Sequence, residues 1–177
     1  TRMGITIRRP TDKEFASFYA GYIGLVPDGD LLHTMEQQMR DTQALLRPIG
    51  EDKSRFRYAA GKWSVRDVVG HMADSERVFT YRALRFARRD TTPLPGYDEK
   101  AWGEGSSAHS RTLASLLDDF QTLRAATLSL FRGFSEEEWG RAGTANNVAI
   151  TVRALGYVVA GHERHHVNIL KERYLTP

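Results

Sequence analysis

Apolar residues recur along this chain at spacings of three and four, the period of a helix with one buried face, and nowhere alternate with polar ones long enough to predict a strand. Pro10-Thr11 with Glu14 three residues on forms a capping-box start, so a short helix is expected to follow and to stop between Gly24 and Pro27. Leu31, Met35, Met39 and Leu45-Leu46 predict a long helix from near Asp30 to the stop at Pro48-Gly50. Ser64, with Asp67 at the third position and Trp63 and Val68 placed as a hydrophobic staple, opens another that should reach about Arg88. Leu113, Leu116-Leu117, Phe120, Leu123, Thr127 and Leu130-Phe131 mark the next long helix, and Ser135 begins a single-turn one. The last long helix runs from about Thr151 to Tyr174, with Val152, Leu155, Val158-Val159, Ile169 and Leu170 on one side.

Four long helices and two short ones, with no strand and no internal repeat, predict an all-α protein: a four-helix bundle in one domain over residues 1–177, with residues 1–29 as an N-terminal extension carrying the short helix. The second and third long helices are joined by DTTPLPGYDEKAWGEGSSAHS, residues 90–110. Antiparallel neighbours need only a short turn, whereas parallel ones need a crossover, so a plain up-down-up-down bundle is not expected. A connection this long inside a compact domain is commonly functional, and Tyr97 and Trp102 make this one too aromatic for a simple linker.

Composition narrows the chemistry. The chain is 41% hydrophobic and 27% charged, an ordinary balance for a globular protein, and no apolar run approaches the roughly 18 residues of a spanning helix. The N-terminus lacks the basic-then-apolar pattern of a secretory signal, so a cytoplasmic protein without membrane contact is expected. The net charge is +3, but the 25 basic and 22 acidic residues are interspersed and the densest basic patch, Arg82-Arg85-Arg88-Arg89, is small, so no nucleic-acid partner is expected. There is no cysteine. Any metal must therefore be held by His, Asp or Glu, and the chain has no nucleophilic thiol of its own.

Residues 162–166 spell His-Glu-Arg-His-His, a literal H-E-x-x-H, the helix-borne signature of zinc proteases. On the last helix, His162 and His166 continue the apolar stripe of Leu155 and Val158-Val159 inward, and two imidazoles at that spacing can grip one ion from the same side. His71 behaves likewise on its helix, three residues after Val68. Any one buried histidine is readily explained as a hydrogen-bonded core residue, but three together must satisfy six ring nitrogens in an apolar setting, which favours a shared cation. His165, at i+3 from His162, is an alternative third ligand, or it lies at the pocket rim. Glu163 sits about 100° around the helix from His162 and is expected to face away from the ion, with a general-base role as the alternative. A protease needs a further ligand downstream, yet only eleven residues follow His166 and none is suitable, so that reading is set aside. His33 and His109 have no such company and are read as surface or loop residues.

GKWSVRDVVGHMADSE at 61–76, PLPGYDEKAW at 93–102 and GHERHHVNIL at 161–170 together resemble the DinB/YfiT-like superfamily of metalloenzymes. The resemblance covers most of the chain from residue 30 onward. It implies a four-helix bundle with a crossover connection, and a divalent metal, often assigned as zinc or nickel in relatives, on three histidines that map onto His71, His162 and His166. Members of this superfamily are often homodimers. Relatives include thiol-dependent S-transferases that use bacillithiol or mycothiol and a thiol-dependent maleylpyruvate isomerase, while many others carry only the label of metal-dependent hydrolase.

Three neutral ligands leave a divalent cation its charge and an open coordination position, the arrangement of a catalytic zinc site; Ni2+ and Mn2+ are the alternatives. That position can take a thiol, which predicts an S-transferase acting on small electrophiles with a low-molecular-weight thiol as cosubstrate. It can also take a water of lowered pKa, which predicts a hydrolase. A third reading is a non-catalytic metal-binding module. Tyr81, Arg82, Tyr97, Trp102 and His165 are the expected lining of the substrate pocket, set against the plainer reading of helix-surface charge and loop packing.

Overall fold

The computed structural model describes residues 5–176. Its helices are α1 (Ala20–Gly24), α2 (Leu31–Leu46), α3 (Gly50–Lys53), α4 (Val65–Ala87), α5 (Glu99–Gly105), α6 (Leu113–Arg132), α7 (Glu136–Gly140) and α8 (Val152–Ile169), the last running into a wider π-type turn over Leu170–Tyr174. Local chemistry sets their starts. The Asp30 carboxylate accepts the Leu32 and His33 amides, and Ser64 Oγ accepts the Asp67 amide at 3.2 Å while the Asp67 carboxylate accepts the Ser64 N–H at 2.9 Å. The Ser135 and Glu138 pair repeats this reciprocal cap at α7, and the Thr112 and Thr151 hydroxyls cap α6 and α8.

The four long helices α2, α4, α6 and α8 form the bundle. α8 packs on α2 and α4, and α6 on the same two, so α2 and α4 stand diagonally. Directions follow from the pairings. Leu31 lies beside Gly156, and Gln38 bonds the Ala160 carbonyl and Glu163, so α2 and α8 run parallel. Arg66 reaches the His109 carbonyl, Arg77 pairs with Asp119 and Arg88 stacks on Phe134, so α4 and α6 also run parallel. Phe86, near the end of α4, packs on Gly143 just before α8, while His71 meets His162 and His166 near the other end, so α4 and α8 are antiparallel. The order is up-down-down-up, and residues 88–112 are the crossover that a parallel α4–α6 pair requires.

The expectation of no strand is corrected. Ala142–Ala145 and Val148–Thr151, β1 and β2, pair antiparallel in a hairpin turned at Asn146 and Asn147, with φ of 51° and 64°. Two consecutive left-handed residues are what a two-residue hairpin turn needs, and asparagine is the side chain that tolerates them best after glycine. The hairpin anchors the crossover: the Leu94 N–H donates to Thr144 O at 2.9 Å and its carbonyl accepts from Asn146 N at 3.0 Å. The crossover is also less irregular than its composition suggests, since Asp98 caps α5 within it.

The core has two apolar clusters, one around Leu31, Met35, Phe79, Phe86, Phe131 and Trp139, the other around Met39, Leu46, Met72, Leu117 and Phe120. A polar layer separates them. On α2 it is Gln38, on α4 Glu76, on α6 Arg124 and on α8 Glu163, all buried. Arg124 makes two 2.9 Å bonds to the Glu76 carboxylate and one to Glu163, so one guanidinium ties three helices together. Burial alone would push Arg124 down, but Glu163 and Glu76 outweigh it and hold the guanidinium charged.

Candidate metal centre

His71 on α4 and His162 and His166 on α8 converge where these antiparallel helices cross. His162 Nε2 lies 3.2 Å from His71 Nε2 and 3.2 Å from His166 Nε2. One candidate ligand atom from each ring lies within 4.8 Å of the others, and this is the metal-ligand cluster found among the described residues. Two imidazole nitrogens on one zinc ion, each at about 2.0–2.1 Å, stand roughly 3.0–3.4 Å apart. The observed spacing fits.

The protonation state fits as well. Burial, with the neighbouring His165 adding to it, pushes His71 down to about 4. Burial, with His71 and His165, pushes His166 down to about 3, and His162 is lowered well below the usual histidine range. All three rings are neutral at pH 7, as metal ligation requires.

Apolar and aromatic walls hold the rings. Trp63 packs at a tilt against His71, ring centres 4.6 Å apart, Phe79 meets the edge of His162 at 5.6 Å, and Tyr22 of α1 packs edge-on against both His162 and His165. Ser75 approaches His71 Nδ1 at 3.5 Å and shares a 2.8 Å hydrogen bond with the Tyr97 hydroxyl. His165, next to this set, packs against Tyr22 and His166 rather than joining the three converging nitrogens. Glu163 turns away into the polar layer, where it accepts from Gln38, Thr42 and Arg124 at 2.9 Å each. It cannot serve this site as a protease glutamate would. His109 stands in the crossover, where its Nδ1 lies 2.9 Å from Ser64 Oγ at the cap of α4.

Tyr81, Arg82, Tyr97 and Trp102 line one groove of about 330 Å³, and His165 lies apart from it. Arg82 is buried and donates to the Pro95 carbonyl at 3.0 Å, strapping the crossover to α4. Tyr81 is 53% exposed and accepts from Arg85, so it forms an outer edge. Tyr97 and Trp102 pack together at 4.7 Å, and both also border the narrow space beside His71.

Sequence reasoning missed two neighbours of the imidazoles. Tyr22 comes from a segment read as an extension, and no periodicity points it at His162. Glu99 sits in the crossover with its Oε2 4.0 Å from His71 Nε2; burial, reinforced by Asp98, pushes its carboxyl up. Its one signal was a place between Tyr97 and Trp102.

The family model of the DinB superfamily matches residues 34–170. YfiT of Bacillus subtilis, provisionally named a metal-dependent hydrolase, is 29% identical over 119 residues, which span 65% of this chain and 66% of that one, just under two thirds of its length. A relative from Oceanobacillus iheyensis, provisionally named in the same way, is 23% identical over 82% of this chain and 88% of its own. The solved structure of Bacillus subtilis YfiT, a four-helix bundle of unusual topology, superposes with a TM-score of 0.70 at 23% identity, covering 80% of this chain and 82% of that one.

Proposed function

The chain belongs to the DinB superfamily, and from that premise we propose a divalent-metal-dependent enzyme whose cation is held by His71, His162 and His166. The observation that carries this reading is the convergence of three neutral imidazole nitrogens, two on buried rings and one on the half-buried His166, at ligand-to-ligand spacing. An all-imidazole donor set suits Zn2+ first and Ni2+ next. Bound there, such a cation supplies Lewis acidity and lowers the pKa of a thiol or a water beside it.

The chain's own residues supply the rest. Tyr97 and Trp102 border the approach to His71 and exclude bulk water, with Tyr97 fixed by Ser75 and Arg82 holding the crossover in place. Glu99 Oε2 is positioned to accept the proton that the nucleophile loses. In the reading we favour, an exogenous low-molecular-weight thiol gives that proton to Glu99, its sulfur forms a bond to an electrophilic carbon, and the leaving group departs with its electron pair. A chain without cysteine must obtain this sulfur from a cosubstrate. The relatives' names favour a second reading, in which water takes the thiol's place and an ester or amide is cleaved.

One experiment separates the two. Zinc-loaded protein is incubated with monochlorobimane with and without a small thiol, and in parallel with an ester panel lacking thiol. Conjugation that needs both metal and thiol and falls in Glu99→Gln is the expected result. Ester cleavage without conjugation would transfer the assignment to the hydrolase reading, and silence in both assays would remove the enzymatic one.

A further inference from the structure

The imidazole cluster has a second side. His166 forms part of the wall of a groove of about 430 Å³ whose other walls include Tyr58, Trp63 and Tyr174. Three cations line it, each from a different element: Lys62 from the loop before α4, Lys100 from α5 and Arg173 from the π-type turn after α8. No carboxylate among the described residues lines it. Among those residues neither Lys62 nor Arg173 has a carboxylate within 4.0 Å, and Lys100 has only Glu104, at 3.9 Å and exposed. Arg173 is held instead by an aromatic partner, donating to the Tyr58 hydroxyl at 3.2 Å with its guanidinium 5.3 Å from the ring centre. The acid closest to the cluster, Glu99, lies on the His71 side, next in sequence to Lys100.

Three cations on separate elements that face one groove, with no carboxylate lining it, present a positive potential to an entering anion. Arg173 is oriented by Tyr58 before any ligand arrives, which lowers the entropy cost of binding. The aromatic walls accept an apolar stem, and His166 lies at the inner side. We propose that this groove binds the carboxylate-bearing end of the substrate or thiol cosubstrate and so presents its reactive atom to the three histidines. The proposal rests on the reading of those histidines as a metal site, and it divides the approach in two: a cationic half over His166 and a narrow half bordered by Tyr97 and Trp102.

The test is calorimetric titration of zinc-loaded protein with mercaptosuccinate, 2-mercaptoethanol and succinate at low ionic strength. Mercaptosuccinate is expected to bind at least about tenfold more tightly than 2-mercaptoethanol, a difference of the size that two charge-assisted contacts supply. The Lys62→Ala/Arg173→Ala variant should lose that preference while keeping its zinc and its affinity for 2-mercaptoethanol. Equal affinities in the native protein, or a preference that survives in the variant, would overturn the proposal. Succinate, which has no thiol, separates this from failure of the metal site: if the protein retains no zinc yet succinate binds the native chain and not the variant, the groove stands and the metalloenzyme reading falls.

Discussion

Gly161 and Tyr22 meet backbone to backbone: a methyl group placed on Gly161 would come within 1.9 Å of the Tyr22 carbonyl oxygen. The next residue along α8 is His162, whose ring lies 5.4 Å from that of Tyr22, so the same close approach that docks α1 also seats an aromatic wall on the histidine cluster. Gly161→Ala is therefore expected to force α1 off α8 and cost about 1–3 kcal/mol, the range for overpacking a close-fitted contact. Urea unfolding checks it; an unchanged midpoint would contradict the contact.

Arg124→Met should cost more. It leaves Glu76 and Glu163 buried without their cation, and breaking a buried ion pair from one side typically costs about 3–5 kcal/mol. Adding Glu76→Leu and Glu163→Leu should recover much of the loss, because the penalty lies in the stranded charges. Chemical denaturation of the single and triple variants measures both, and a triple variant weaker than the single would refute the explanation.

Metal content should discriminate among the four clustered histidines. His71→Ala, His162→Ala and His166→Ala are each expected to reduce bound zinc from about one per chain to near zero while circular dichroism stays helical. His165→Ala should retain it, since its ring packs on Tyr22 outside the converging set. Elemental analysis of protein purified without an immobilised-metal column decides, and loss of zinc in His165→Ala would overturn the choice of ligands.

Acid should loosen the N-terminal segment. Burial pushes the Glu14 carboxyl up, but the Thr11 N–H and the Arg8 and Arg153 guanidiniums outweigh it and hold it at about 2, against an ordinary 4.5. A depressed carboxyl contributes stability that is complete above the unfolded pKa and is lost as pH falls through the folded one. The window is thus about pH 5 to 2. The stability gap between native protein and Glu14→Gln should be widest near pH 6 and narrow steadily across that window, as thermal unfolding at a series of pH values would read; a constant gap would mean the carboxylate does not anchor the segment.

Much of this architecture is legible in the chain because it is written in local chemistry. The Asp30, Ser64 and Ser135 caps and the three-and-four spacing of Leu113 to Phe131 place the helices within a residue or two, and the length of residues 88–112 already implies parallel neighbours. The convergence of His71, His162 and His166 follows from two helix faces that must both look inward. The hairpin was missed because its strands are four residues each, too short for alternation to register, and its turn is Asn-Asn rather than Asn-Gly. Tyr22 and Glu99 reach the site through tertiary packing of segments with no periodicity, and Arg124 resembles a surface arginine until Glu76 and Glu163 are brought beside it.

The crossover divides the site into a frame and a cover. The three imidazoles stand on long helices locked by the Arg124 layer, whereas Tyr97, Glu99, Lys100 and Trp102 ride on a connection fastened at a few points, Arg82 to the Pro95 carbonyl and Leu94 to the hairpin among them. Connections of this kind accept insertions and substitutions that a bundle core does not. About twenty residues of this chain can thus be rewritten around the three imidazoles with the bundle that carries them left untouched.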